Sequence, residues 1–247
     1  MMNKTKICIL GLIASVFGFQ SCLESDGPDN TTDALVTVKL TDDGKSFFQL
    51  DEQTTLFPQN VTTKLYDGKE VRALINFEEL EKQTPGFTKT VMVNAIDSIR
   101  TKEMKLVTAD KPLDAYGNDP IDIVNDWVTI AEDGYLTLRL RAAWGIPAKK
   151  HVFDLVGGVD NEDPFVVELR HDATGGSSTG QDDNTLMDSR RANYPQNTIA
   201  DVLIAFRLSH LPAESPADQK LTVRWKSPTG TKEVKFNLHG NIKQPEK

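Results

Sequence analysis

Cysteine is almost missing from this chain. Its 247 residues include two, Cys8 and Cys22, and no cysteine beyond residue 22 is available for a disulfide. Long hydrophobic runs are missing too. The longest, Ile7 to Phe19, has 13 residues and is broken by Gly11, Ser15 and Gly18, whereas a helix that crosses a bilayer needs about 20. Positive charge is short: 28 Lys and Arg face 36 Asp and Glu, a formal charge of −8, which argues against nucleic acid or another polyanion as partner. No amphipathic helical pattern runs past about 12 residues, which argues against a parallel sheet with crossover helices.

The amino-terminal segment has three zones: Lys4 and Lys6, the apolar stretch 7–19, and polar Gln20-Ser21. That order is a secretory signal. No Ala-x-Ala-like cleavage site precedes Ser21-Cys22, so a lipoprotein signal fits better than an ordinary one. In such signals the cysteine thiol accepts a diacylglyceryl group, a small residue precedes it, and the new amino terminus is acylated. Ser21 is the small residue and Cys22 the expected lipidation site, although Phe19 and Gln20 depart from the commonest residues there. Each buried methylene adds about 0.8 kcal/mol, so several acyl chains hold a protein firmly. The expected address is the outer membrane, lipid-anchored, on the cell surface or the periplasmic face. Removing residues 1–21 takes Lys4 and Lys6 and leaves 226 residues with 26 basic and 36 acidic side chains, a charge of −10. That length can build two modest apolar cores without disulfides.

Residues 22–34 are polar and acidic, with Glu24, Asp26, Asp29 and Asp33 among Gly27, Pro28 and Asn30. They read as a flexible tether, and acidic residues just after the cysteine also resemble an export signal to the cell surface. From residue 35 the dominant period is two, the spacing of a strand with one face buried. Val36, Val38 and Leu40 alternate with Thr37, Lys39 and Thr41; Leu136, Leu138 and Leu140 alternate with Thr137, Arg139 and Arg141. Phe165, Val167 and Leu169 repeat the pattern, as do Leu221, Val223 and Trp225, then Val234, Phe236 and Leu238. Around Val202, Ile204, Phe206 and Leu208 the alternate face also holds Leu203 and Ala205, which predicts a strand covered on both sides. Asp43-Gly44, Asp67-Gly68 and Asp133-Gly134 each separate two such stretches and predict hairpins with antiparallel pairing. Short helices are expected near Glu78–Lys82 and Leu186–Asn193. The Asp-rich stretch 110–125, with Pro112, Gly117 and Pro120, breaks the strand pattern and is the expected domain boundary. Residues 35–112 then have the size of a small barrel and 113–247 that of a sandwich. The whole is all-β.

A set of short motifs resembles the NigD-like lipoproteins: Asp42-Asp43-Gly44, Tyr66-x-Gly68 with Arg72, Thr101-Lys102, Gly117-Asn118-Asp119-Pro120-Ile121 and Asp126-Trp127. Gly134-Tyr135-Leu136, Lys150-His151, Leu155-Val156 and Leu169-Arg170-His171 continue it through nearly the whole mature chain. The resemblance implies an N-terminal OB-type barrel followed by a C-terminal β-sandwich. It also implies a link to bacteriocin immunity, the role from which the family takes its name. It carries over no catalytic residue; the matching positions read as turns and packing.

Gly176-Ser177-Ser178-Thr179-Gly180 spells a hydrolase nucleophile elbow, and Gly175 to Gly180 has P-loop glycine spacing. Neither has its context: an elbow needs a strand before it and a helix after it, and a P-loop needs Lys where Gln181 stands. His151, His171, His210 and His239 are scattered, with no partner at metal-ligand spacing, and Arg170-His171-Asp172 reads as surface and turn. Asp160-Asn161-Glu162-Asp163 lacks the alternating ligands and central glycine of a calcium loop and reads as a solvated turn. Trp127, Trp144 and Trp225 are read as core, with a sugar-stacking platform as the alternative. The near-neutral first domain, 11 basic and 12 acidic residues, lacks the positive groove of nucleic-acid-binding OB barrels.

The stretch Asp172 to Asn197 is long for a loop inside a compact domain. Its Met187, Arg190, Arg191 and Tyr194 are types enriched at protein interfaces and are the candidate partner contacts, with a mobile insertion as the alternative. Neither a cofactor, a metal site nor a catalytic set is expected. The sequence therefore predicts a non-enzymatic envelope lipoprotein that binds a partner such as a bacteriocin, or else an accessory protein for surface glycan capture.

Overall fold

The computed structural model describes residues 30–144, 151–173, 198–213 and 218–238. Residues from Thr31 onward form one compact unit built of strands and short turns, with no helix among the described residues long and apolar enough to cross a membrane.

The first five strands close into a barrel. β1 (Thr31–Leu40), β2 (Ser46–Gln49), β3 (Thr55–Pro58), β4 (Val71–Leu80) and β5 (Lys89–Ser98) run in the order β1-β2-β3-β5-β4, and β4 returns to β1. Closure leaves no free sheet edge. The alternation seen in the sequence fills the inside: Val36, Val38, Phe48, Leu56, Ile75, Phe77 and Val91 form one apolar cluster. Burying each such side chain contributes about 1.5–3 kcal/mol. Thr31 to Asp33, which the sequence assigns to the tether, pair with Glu78 to Asn76 and belong to β1.

Ten further strands make the sandwich. One sheet holds β6 (Arg100–Glu103), β13 (Thr198–Arg207) and β10 (Tyr135–Trp144) in that order, with β8 (Asp122–Val124) and β9 (Ile130–Glu132) both paired to β10. The other runs β15 (Gly230–Asn237), β14 (Lys220–Ser227), β12 (Val166–Asp172), β11 (Val152–Gly157), β7 (Lys105–Leu106). Between them lie Leu136, Leu138, Leu140, Phe153, Leu155, Val167, Leu169, Ile204, Phe206, Leu221 and Val223, the inward positions of the predicted strands.

Four expectations need correction or refinement. Residues 100–106 fall before the expected boundary, yet β6 pairs with β13 and β7 with β11, so they are sandwich strands. Glu78–Leu80 is strand, because its backbone bonds to β5 through Met92 to Thr90 and tertiary pairing outweighs local helix preference. Asp43-Gly44 and Asp133-Gly134 do close hairpins, β1–β2 and β9–β10. Asp67-Gly68 does not: Tyr66, Asp67 and Gly68 all take positive φ in a one-turn 3-10 segment, and the flanking β3 and β4 are not neighbours. Finally, pairing is mainly antiparallel, but β3–β5, β6–β13, β7–β11 and β12–β14 are parallel.

The two-sided strand is β13. Its Ile204 and Phe206 face the sandwich core, while Leu203 and Ala205 pack with Leu35, Leu74 and Ile99 and with Val128 and Ile130. The outward face of the barrel thus seats on the outward face of the sandwich sheet, which is why Ala205 has no exposed surface.

Candidate functional site

Two residues of the motifs that carry the family resemblance, Arg72 and Tyr135, sit where the barrel meets the sandwich. Arg72 in β4, wholly buried, donates from Nη1 to Thr37 Oγ1 at 2.9 Å and from Nη2 to Glu132 Oε1 at 2.6 Å. Tyr135 donates its hydroxyl to Glu70 at 2.6 Å, and Arg207 donates to the same carboxylate at 3.0 Å and to Glu103 at 2.9 Å. The Arg207 guanidinium lies 4.8 Å from the Tyr135 ring centroid, within cation–π range. Burial, then the neighbouring Glu70 carboxylate, pushes the Tyr135 phenol far above its ordinary range. These groups bind one another across the junction, and the Arg72 Nε is left buried without a hydrogen-bond partner.

A second cluster closes one end of the sandwich. Pairing of β11 with β12 sets Val152 opposite Asp172, which brings His151 Nδ1 to 2.9 Å from His171 Nε2. Trp144 stacks on His151 at 4.1 Å between centroids, and Phe153 on His171 at 4.8 Å. His171 and Arg170 are buried strand residues, which corrects their reading as surface and turn. Burial is the main reason the His171 imidazole is held below its usual pKa, against the opposing pull of the Pro120 carbonyl and Asp119. The Gly117–Ile121 segment crosses this end: Asp119 donates its N–H to the His171 carbonyl at 2.8 Å, and its carboxylate accepts the Ala173 N–H at 2.7 Å. A pocket of about 400 Å³ lies here, lined by Asp119, Pro120, Arg141, His171, Ala173 and Ile199 among others.

The third feature is a cleft of about 340 Å³ beside the junction. Trp127, between β8 and β9, forms one wall and is 57% exposed. Leu74 of the barrel and Leu203 of β13 add apolar surface, while Asp126, Arg139 and Asp201 add polar atoms. Arg139 donates to Asp126 at 2.5 Å and to Asp201 at 2.9 Å, and Arg141 binds both oxygens of Asp201 at 2.7 and 3.0 Å. The Arg139 hydrogen bond holds the Asp126 carboxyl below its usual pKa, and Arg141 does so first for Asp201.

The three tryptophans therefore divide. Trp225 is buried and Trp144 packs against the sandwich core, but Trp127 is a surface residue, because its loop lies outside any strand. Cys22, Met187, Arg190, Arg191 and Tyr194 lie outside the described residues, as do Ser177, Ser178, His239 and the expected helix at 186–193. Asp160 accepts the N–H groups of Glu162 and Asp163 and forms an ordinary polar turn. Among the described residues no three His, Cys, Asp or Glu side chains gather as a metal site. Sequence reasoning missed the Trp127 cleft as a unit. The signal it had was the outward spacing of Arg139 and Arg141 opposite the buried leucines of β10.

A closed five-strand barrel followed by a two-sheet sandwich defines a class of strand-built, two-part proteins with an OB barrel at the amino-terminal side. The chain belongs to the NigD-like family: residues 35–99 match the NigD-like N-terminal OB domain and residues 104–238 the NigD-like C-terminal beta sandwich domain. These limits fall on either side of the short β6, which bonds to the sandwich. Several solved structures are similar to this chain. A protein described as toxin-related from Parabacteroides distasonis shares 27% identity over 84% of this chain and 94% of that one, with TM-score 0.63. A NigD-like immunity protein from Bacteroides caccae shares 23% over 82% and 91%, TM-score 0.51. A protein described as a lipoprotein from Bacteroides fragilis shares 16% over 87% and 100%, TM-score 0.54. No curated protein matches the chain.

Proposed function

We propose that this NigD-like chain is a non-enzymatic binding protein of the cell envelope, anchored by lipid on Cys22 in the outer membrane, and that its role is bacteriocin immunity by capture or occlusion. The observation that carries the anchor is Ser21-Cys22 directly after a 13-residue apolar stretch that follows Lys4 and Lys6. The binding role is supported by where the buried polar groups go. Arg72 pairs with Glu132, and Tyr135 and Arg207 both bind Glu70, so the motif residues Arg72 and Tyr135 serve the scaffold. Partner contact then falls to the stretch 172–197, with Met187, Arg190, Arg191 and Tyr194 as its contact residues.

Expression in a bacteriocin-sensitive strain tests this reading. The full chain protects, Cys22→Ala loses both the acyl mass and the protection, and the quadruple alanine variant at 187, 190, 191 and 194 stays anchored but protects poorly. Unchanged killing at full lipidation and display overturns the immunity role, and a mature chain without acyl mass overturns the anchor.

A further inference from the structure

The cleft at Trp127 has features that the immunity reading does not use. The tryptophan is exposed, yet its loop is tied down. Asp126 accepts the Trp127 N–H at 2.7 Å on its side chain and the Thr129 N–H at 2.9 Å on its carbonyl. Thr129 Oγ1 donates to the Val124 carbonyl at 2.8 Å and accepts the Arg139 N–H at 3.2 Å. Val128, the next residue, is 3% exposed and inserted among Leu35, Ile99 and Ala205. An indole held out by fixed neighbours is presented to solvent at low entropic cost on binding, while a large apolar side chain left there without a ligand gains nothing from burial.

We propose that this cleft binds a neutral pyranose unit of an oligosaccharide, with the ring stacked on Trp127. Three observations select that chemistry. The indole offers a flat apolar face matching the C–H face of a pyranose, and Leu74 and Leu203 add apolar lining to the same cleft. Beside it, Asp126 and Asp201 supply acceptor oxygens and Arg139 supplies N–H donors, the groups that sugar hydroxyls pair with. The two carboxylates and two guanidiniums neutralise each other through bonds of 2.5 to 3.0 Å. An ion would have to break that ladder, whereas an uncharged polyol adds hydrogen bonds to it. The volume, about 340 Å³, lies near the lower end for small-ligand sites. That suits one or two sugar rings and is small for a protein anchor, which would rely on a wider apolar surround. Both walls are fixed relative to each other by the Arg72–Glu132 junction, so the cleft is preformed.

The experiment uses the full lipidated chain in a detergent without sugar headgroups, with neutral oligosaccharides of glucose, mannose, galactose and xylose as probes. Binding is read by tryptophan fluorescence and titration calorimetry. At least one probe binds and shifts the emission of the exposed indole. Trp127→Ala weakens that binding about tenfold or more, Trp127→Phe retains part of it, and both variants keep the wild-type melting temperature because residue 127 is outside the core. Added salt changes the affinity little, since no net charge is read. The proposal is overturned if no probe binds at about 10 mM, well above a weak millimolar site. It is equally overturned if Trp127→Ala binds as well as wild type, if acidic sugars alone bind, or if Trp127 proves necessary for bacteriocin protection while every sugar is inert. Loss of immunity alone, with sugar binding intact, touches the previous reading and leaves this one standing.

Discussion

Arg72 of the barrel and Glu132 of the sandwich, 60 residues apart, form an ion pair of 2.6 Å whose guanidinium has no solvent exposure. The pair lies at the seam where β13 receives the barrel on its outward face, and Thr37 and the Tyr135 ring border the same guanidinium. A charge buried so completely is held by its partner, and removing one member leaves the other stranded in a poor solvent.

Arg72→Ala is therefore expected to destabilise the protein by about 3–5 kcal/mol, and Arg72→Met/Glu132→Gln to recover most of that. Guanidinium unfolding of the three proteins measures it. Equal losses in the single and the double variant would show that cavity formation, not the unpaired carboxylate, sets the cost.

Lys102 in β6 donates to Asp154 at 2.7 Å and to the Phe153 carbonyl, with a side chain that is 2% exposed. Burial holds its ammonium below the usual lysine pKa, partly opposed by Asp154. A lysine with a depressed folded pKa binds fewer protons folded than unfolded. Its contribution therefore makes stability rise with pH across the window ending near the unfolded value of about 10.4. Compared with Lys102→Met/Asp154→Asn, wild type should gain stability between neutral pH and about 10, by at most about 1.4 kcal/mol per pH unit. The comparison cancels Tyr135, whose raised pKa acts in the opposite direction above about pH 10. Parallel stability curves for the two proteins would contradict the burial of this charge.

Gly117 stands at φ +80°, and a Cβ placed on it would come within 2.6 Å of the His171 carbonyl oxygen and 2.7 Å of Asp172 Cβ. Both are parts of β12 with little freedom to retreat. Gly117→Ala should cost about 1–3 kcal/mol from the backbone conformation alone and more from the contact. Gly44→Ala, at a similar φ with nothing within 4 Å, should cost only the backbone part. Thermal melts of the two variants separate these contributions, and equal shifts would remove the close approach as a cause.

Alternation made much of this architecture legible in advance. Leu136, Leu138 and Leu140, each fully buried, were readable as one face of β10. Leu203 and Ala205 opposite Ile204 and Phe206 announced that β13 is covered twice, although not by what. Period cannot name the partner of a strand. For that reason the break in alternation at 110–125 marks a later boundary than the strands do, since Arg100–Glu103 already pairs with β13 of the sandwich. His151 and His171 lie 20 residues apart in sequence and meet only because β11 and β12 pair in one register. The Trp127 cleft was hidden for the same reason, its Asp126, Arg139 and Asp201 coming from three separate segments.

By itself the sequence determined the period-two strands, the absence of disulfides beyond residue 22, the sites where Asp-Gly could turn the chain, and the family. These are properties of neighbours along a chain, set by backbone sterics and side-chain alternation. The tertiary structure alone decided which strands pair, which charges are buried against which, and which tryptophan stays in water. Those depend on contacts between residues distant in sequence, and only closing the barrel onto the sandwich brings them within reach.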